Sequence, residues 1–245
     1  MTILSVNINK VATLRNARGG NVPDVLLAAR RAQEYGAQGI TVHPRPDARH
    51  ITYRDALELR PIVTTEYNIE GNPTTKHMEL LLSVRPEQAT LVPDAPDALT
   101  SNAGWDTVAH ADFLKTTINR LKEHDIRVSI FVNPEVAMVE GAAACGSDRV
   151  ELYTEAYAAR YAQDREKAIA PYVEAAKKAK ELGLMVNAGH DLNADNLAYF
   201  IARIPWLAEV SIGHAIIADS LYWGLETTIH KYLEAIQLGE ADSAH

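Results

Sequence analysis

Eight short runs rich in β-branched residues recur along the chain, and helix-forming segments separate them. The runs lie at 3–8, 39–43, 62–69, 88–92, 126–132, 149–153, 184–188 and 208–212. Strands alternating with helices at a spacing of roughly 30 residues build parallel βαβ units. Eight such units in 245 residues predict a (β/α)8 TIM barrel with additional helices, a fold that commonly takes about 250 residues. No low-complexity linker or charge block divides the chain, so 1–245 reads as a single barrel domain. The main rival is a doubly wound open sheet. That fold leads one to expect a glycine fingerprint after the first strand, and the stretch from Asn7 to Gly20 lacks the spacing.

Strand parity favours the barrel. Leu4, Val6 and Ile8 alternate with Ser5, Asn7 and Asn9. Ile40 and Val42 alternate with Thr41 and His43, Val63, Tyr67 and Ile69 stand against Glu66, Asn68 and Glu70, and Val150 and Leu152 alternate with Glu151 and Tyr153. An open sheet covered on both faces is apolar at both parities. One polar parity predicts a closed barrel whose lumen is polar. Buried polar groups need partners, and a charged ligand is one way to supply them.

Three helices carry explicit boundary signals. Over 22–35, Pro23 suits the first helical position and Gly36 the stop. Over 107–123, Ala111, Leu114, Ile118 and Leu121 form one stripe after Asp106 as N-cap. The Ala-, Lys- and Glu-rich stretch 164–182 ends at Gly183.

Composition narrows the partners. The formal net charge of -8 argues against nucleic acid or an anionic membrane as the main partner. No stretch approaches the ~20 apolar residues of a membrane span, and the N-terminus has no basic leader. The single cysteine, Cys145, excludes an intrachain disulfide and suits a cytoplasmic protein; it is expected in the core.

Active sites in this fold sit at the C-terminal ends of the strands. Those ends carry Asn7, Asn9, His43, Arg45, Glu70, Glu151, Tyr153, His190, Gly213 and His214. Three histidines and two glutamates converging there are candidates for acid/base chemistry. A carboxyl such as Glu70 in a partly dry lumen has its pKa raised toward neutral, which suits proton transfer. Gly213-His214 opens a helix after the eighth run, where barrels often hold phosphate. The loop 41–51 concentrates His43, Arg45, Arg49 and His50, while Arg15 and Arg18 precede Gly19-Gly20, and both are candidate anion clamps. The aperiodic stretch 93–105 is a candidate lid. His43, His190, His214 and Glu70 could in principle ligate zinc, but no pair has the i, i+4 spacing of a helical site, so no metal is expected.

The chain resembles the pyridoxine 5′-phosphate synthase family over nearly its whole length. The resemblance is carried by VNINKVATLRNARGG (6–20), GITVHPRPDARHI (39–51), NIEG (68–71), LVPD (91–94) with Thr100, RVELYT (149–154), VNAGH (186–190) and IGHAII (212–217). It implies a (β/α)8 barrel, usually octameric, that needs no metal or organic cofactor. The implied reaction condenses 3-amino-2-oxopropyl phosphate with 1-deoxy-D-xylulose 5-phosphate to give pyridoxine 5′-phosphate, inorganic phosphate and water. By resemblance His43 and Glu70 are acid/base residues and His190 a proton donor. Asn7, Arg18, Gly213 and His214 would hold the amino-ketone phosphate, and Arg45, His50 and Thr100 the deoxyxylulose phosphate. Three positions depart from the family pattern. Asn9 and Lys10 stand where it has Asp and His, at positions that contact the sugar phosphate. Asp191 stands where the pattern has a glycine beside a proposed phosphate site, and its carboxylate would repel that phosphate unless it points away.

Two other readings compete: another phosphate-ester barrel of aldolase or epimerase type, and a non-catalytic barrel that only binds a phosphorylated metabolite. A Schiff-base aldolase needs a lysine at a strand end, and only Lys10 lies near one. Tyr222, Trp223 and the apolar face of the last helix are expected to bury against the barrel or a neighbouring subunit.

Overall fold

The computed structural model describes residues 1–94 and 103–243. Eight parallel strands close into one barrel in sequence order. They are β1 (Ile3–Asn7), β2 (Gly39–Val42), β3 (Glu66–Gly71), β4 (Gln88–Leu91), β5 (Arg127–Val132), β6 (Arg149–Leu152), β7 (Met185–Ala188) and β8 (Leu207–Ile212). Closure is made by β8 on β1, with Leu4 opposite Val210 and Ser5 opposite Ser211. The helices around them are α1 (Asn9–Asn16), α2 (Val25–Glu34), α3 (Tyr53–Leu59), α4 (Thr75–Val84), α5 (Ala111–Lys122), α6 (Val136–Ala144), α7 (Glu155–Glu181), α8 (Leu197–Arg203), α9 (His214–Trp223) and α10 (Leu225–Asp242). Among the described residues, no helix is long and apolar enough to cross a membrane.

The apolar parity forms the core between strands and helices. Leu4, Val6, Ile40, Val42, Tyr67, Ile69, Val150, Leu152, Val210 and Ile212 are fully buried. Each such aliphatic side chain contributes about 1.5–3 kcal/mol relative to exposure. Cys145 is buried in the same core, as expected.

The other parity faces the lumen, and its lower half supplies its own partners. Arg149 donates to Glu209 at 2.9 Å and to Asn187 at 3.2 Å. Gln88 and Asn187 also donate to Glu209, and Arg127 pairs with Glu66. One layer higher, a hydroxyl and amide chain links Ser5, Thr41, Asn68 and Thr90 at 2.7–3.3 Å. The polar parity therefore reflects two things: an internal network at the bottom of the barrel and a cavity at its top.

Several boundaries differ from the sequence expectation. Pro23 lies outside its helix; Asp24 is the cap of α2, accepting from the N–H groups of Leu26 and Leu27 at 2.8 and 3.1 Å. The third strand starts at Glu66 rather than 62, because Ile62 and Val63 still donate to Leu59 and because Gln33 captures the N–H groups of Thr64 and Thr65. Asp106 caps a turn through Val108 and Ala109, and α5 itself begins at Ala111. The long run of α7 is two helices meeting at non-helical Asp164, whose carboxylate accepts from Lys167 N–H and opens the segment expected from the sequence. Gly183 does stop that segment, with φ of 77°. Asn9 is not on a strand. β1 ends at Asn7, whose Oδ1 accepts from Asn9 N–H at 3.0 Å and turns the chain directly into α1.

Candidate active site

A cavity of about 740 Å³ opens at the C-terminal ends of the strands. That volume accommodates two small phosphate esters together. Its frame is built by asparagines. Asn7 donates from Nδ2 to Glu70 Oε2 at 3.3 Å, and Asn9 Oδ1 accepts the backbone N–H of His43 at 2.8 Å. The ends of β1, β2 and β3 are thereby tied to one another, which fixes the imidazole of His43 relative to Glu70.

The His43 ring lies between two carboxylates. Nδ1 is 3.8 Å from Glu70 Oε2, and Nε2 is 4.0 Å from Asp94 Oδ2. Burial, reinforced by Arg45 and His50, holds the His43 pKa well below its ordinary value. Burial, reinforced by Glu151 and Asp94, pushes Glu70 well above the usual carboxylate range. The two shifts run in complementary directions: His43 is biased toward the neutral imidazole, which can accept a proton, and Glu70 toward the protonated carboxyl, which can donate one. Their spacing is looser than a hydrogen bond, as substrate-free acid/base pairs often are.

Glu151 lies deeper. It projects from β6, and its Oε2 has no hydrogen-bond partner among the described residues. Burial, with a smaller contribution from Glu209, pushes it up to about 8. The cavity floor therefore carries a second carboxyl biased toward its neutral form.

Cationic and donor groups line the mouth. Arg45 pairs with Asp94, both 5% exposed at the side chain. His50 Nδ1 accepts the N–H of Ile51 at 3.0 Å, which leaves its proton on Nε2. Burial and then Arg45 lower His50 to about 4, so it serves as a neutral donor. Lys10, Thr13 and Arg49 complete this side. Lys10 is exposed on the first turn of α1, outside the dry lumen a Schiff-base lysine needs.

The two Gly-His pairs serve different packing needs. A Cβ on Gly189 would fall 1.8 Å from the carbonyl oxygen of Ser211, so backbone crosses backbone where β7 leaves the barrel. A Cβ on Gly213 would meet Asn7 at 3.0 Å. Gly213 is the N-cap of α9, and His214 is its first residue. That helix N-terminus faces the cavity, where backbone N–H groups favour an anion. His190 Nδ1 engages Asp191 Oδ2 at 2.9 Å, and the ring stands edge-on to Tyr153 at 5.7 Å.

A family model described as pyridoxal phosphate biosynthesis protein PdxJ matches residues 4–238. The chain belongs to this family. PdxJ relatives named pyridoxine 5′-phosphate synthase include one from Cytophaga hutchinsonii, 59% identical over 97% of this chain and 100% of its own length. Another, from Parabacteroides distasonis, is 60% identical over 95% of this chain and 98% of its own. Among solved structures, thiamine phosphate pyrophosphorylase from Pyrococcus furiosus superposes with a TM-score of 0.63 at 12% identity, covering 97% of this chain and 96% of that one. Phosphoribosylanthranilate isomerase from Thermotoga maritima gives 0.62 at 14%, covering 97% and 99%. At such identities these two structures show the barrel fold alone.

Of the residues expected from the sequence, this PdxJ chain brings Asn7, Asn9, Lys10, His43, Arg45, His50, Glu70, His190, Asp191, Gly213 and His214 to one cavity. Arg18 is exposed just beyond α1 and is not part of that lining. Thr100 and most of the candidate lid 93–105 lie outside the described residues. Arg15 is not an anion clamp, because its guanidinium is held by Asp55. Thr90 and Ser211 in the cavity wall, and Asp94 against His43 and Arg45, are the contributors to which sequence reading gave no role. Thr90 and Ser211 follow from the polar parity of β4 and β8, whereas Asp94 lies beyond a strand end, where parity gives no signal.

Proposed function

We propose that this chain is a pyridoxine 5′-phosphate synthase. It condenses 3-amino-2-oxopropyl phosphate with 1-deoxy-D-xylulose 5-phosphate and releases pyridoxine 5′-phosphate, inorganic phosphate and water. The observation that carries the reading is His43, 3.8 Å from Glu70, with burial biasing the imidazole toward its neutral form and the carboxyl toward its protonated form, in a cavity also lined by Arg45, His50 and the Gly213-His214 helix start. Ring closure from an amine and two carbonyl-bearing phosphate esters needs imine formation, dehydrations and loss of phosphate. Each step moves protons and none needs a change of oxidation state supplied from outside.

His43 accepts the proton released when the amine adds to a carbonyl carbon. Glu70 donates to the hydroxyl that departs as water, and the two exchange the proton between steps. His190, across the cavity, is the second donor. Arg45, His50 and Thr100 hold the deoxyxylulose phosphate, assisted by Asn9 and Lys10. Asn7, Gly213 and His214 hold the amino-ketone phosphate, with Asp191 at the same rim, and Arg18, which stands outside the cavity lining, joins them by analogy with the family. Holding both esters at once makes the condensation effectively intramolecular. The whole chain acts as one catalytic unit, working in the cytoplasm as a homo-oligomer, an octamer by analogy with the family. Exposed Leu221 and Tyr222 on α9 suit a subunit contact.

The test incubates the purified protein with both phosphorylated substrates and follows pyridoxine phosphate by absorbance together with phosphate release. Product and phosphate in equal amounts support the reading, and ligand binding without turnover contradicts it.

A further inference from the structure

We propose that Asp191 is a positioning residue for His190, its carboxylate fixing the imidazole as the Nδ1–H tautomer with the ring edge-on to Tyr153. The inference deepens the reading of His190 as a proton donor and rests on it. An ionised carboxylate only accepts hydrogen bonds. The 2.9 Å contact between Nδ1 and Asp191 Oδ2 therefore places the proton on Nδ1. Nε2 is then the nitrogen that first takes up a proton, giving an imidazolium whose charge Asp191 faces, and then donates that proton to substrate.

The local backbone explains how two adjacent side chains meet. Neighbours in a strand point to opposite faces. Here the chain leaves β7 in a tight turn, with Leu192 N–H donating to Gly189 O at 2.6 Å. Asp191 N–H donates to Thr154 Oγ1 at 3.0 Å, and Thr154 is fully buried at the start of α7. That anchor sets the Asp191 Cα–Cβ direction, and the carboxylate swings back onto the preceding ring. Tyr153, the neighbour of Thr154, supplies the wall on which the ring stands, at 5.7 Å between centroids. Positioner, anchor and wall therefore come from the ends of two adjacent strands.

The same geometry accounts for a negative charge at the rim of an anion site. With its N–H donated to Thr154, Asp191 has its backbone amide engaged within the protein. With its carboxylate turned to His190, its charge is directed at a ring that carries positive charge whenever it is protonated. Glycine at this position, as in the family pattern, would leave His190 without this acceptor.

The experiment compares wild type, Asp191→Asn and Asp191→Gly, with His190→Gln as reference. In the substrate-free protein, ¹⁵N chemical shifts of the His190 ring report the tautomer. Wild type is expected as Nδ1–H, with a shift of population toward Nε2–H in Asp191→Gly. In steady-state assays, kcat is expected to fall by about ten-fold or more in Asp191→Gly. That is less than the ~10⁴-fold loss when a buried triad aspartate is replaced, because this pair is partly open to water. Asp191→Asn retains an acceptor oxygen and is expected to fall between the two. KM for both substrates stays within about two-fold. An unchanged His190 tautomer in Asp191→Gly would overturn the inference. So would an unchanged kcat, or a change confined to the KM of one phosphate substrate. Full turnover by His190→Gln would overturn the proton-donor reading and the positioning role with it, whereas the tautomer measurement tests the Asp191–His190 pairing independently of turnover.

Discussion

Arg15 donates two hydrogen bonds to Asp55, at 2.6 and 2.8 Å, with both side chains about nine-tenths buried between α1 and α3. Asp55 also completes the capping box of α3 with Thr52. Breaking one partner of a buried pair typically costs about 3–5 kcal/mol. Asp55→Asn is expected to lower the unfolding free energy by about that amount, read by urea titration. KM for either substrate should stay within two-fold, because Arg15 faces no ligand. A KM effect without a stability effect would place Arg15 back in the binding site.

Arg45 is the contrasting arginine. It lines the cavity while held by Asp94. A hydrogen bond to a charged group is worth about 1.5–3 kcal/mol, or roughly ten- to a hundred-fold in affinity. Arg45→Met is therefore expected to raise KM for deoxyxylulose phosphate by that factor and leave KM for the amino ketone nearly unchanged. Initial-rate kinetics with each substrate varied in turn reads the difference, and a uniform effect on both would remove Arg45 from a single subsite.

Gly189 and Gly213 should respond differently to alanine. At Gly189 the new methyl would overlap the Ser211 carbonyl oxygen at 1.8 Å, and the overlapped atoms are backbone rather than the end of a flexible side chain. Gly189→Ala is expected to yield little folded protein by circular dichroism and size exclusion. At Gly213 the contact is 3.0 Å with Asn7, which a small shift relieves. Gly213→Ala should fold, with its loss appearing as a higher KM for the amino-ketone phosphate.

Glu151 predicts a pH dependence of stability. Its folded-state pKa is raised from 4.5 to about 8, so the folded protein binds more protons than the unfolded chain between those values. Its stabilising protonation is fully present below about 4.5 and is lost as pH rises through about 8. Glu151→Gln, which cannot ionise, should flatten this decline: its Tm should exceed wild type at pH 9 by more than at pH 5. Parallel Tm profiles across pH 5–9 would show that Glu151 is not held neutral.

Much of this architecture was legible because period-two alternation survives in nearly every strand. Leu4/Ser5, Ile40/Thr41 and Val150/Glu151 each place one residue on the helices and one in the lumen. The clustering of His43, Glu70 and His190 followed from the rule that strand ends converge. What was hidden depends on pairings distant in sequence. Nothing near Arg15 announces Asp55, so a buried strut and an anion clamp look alike in a basic loop. The polar lumen invited a ligand throughout, but Arg149, Glu209, Gln88 and Asn187 satisfy one another at its base. Asp191 next to His190 read as a charge opposing phosphate until the turn at 189–192 showed where the carboxylate points.

The central claim is that Glu70, pushed toward its protonated form by burial beside His43, moves protons in a condensation of two bound phosphate esters. Its most direct test is single-turnover product formation by wild type and Glu70→Gln, each saturated with both substrates. General acid/base groups contribute typically 10²–10⁴-fold. The account predicts a loss of single-turnover rate of about that size in Glu70→Gln with both substrates still bound. Equal turnover by the two proteins, or no pyridoxine phosphate from wild type under conditions where both esters bind, would contradict it.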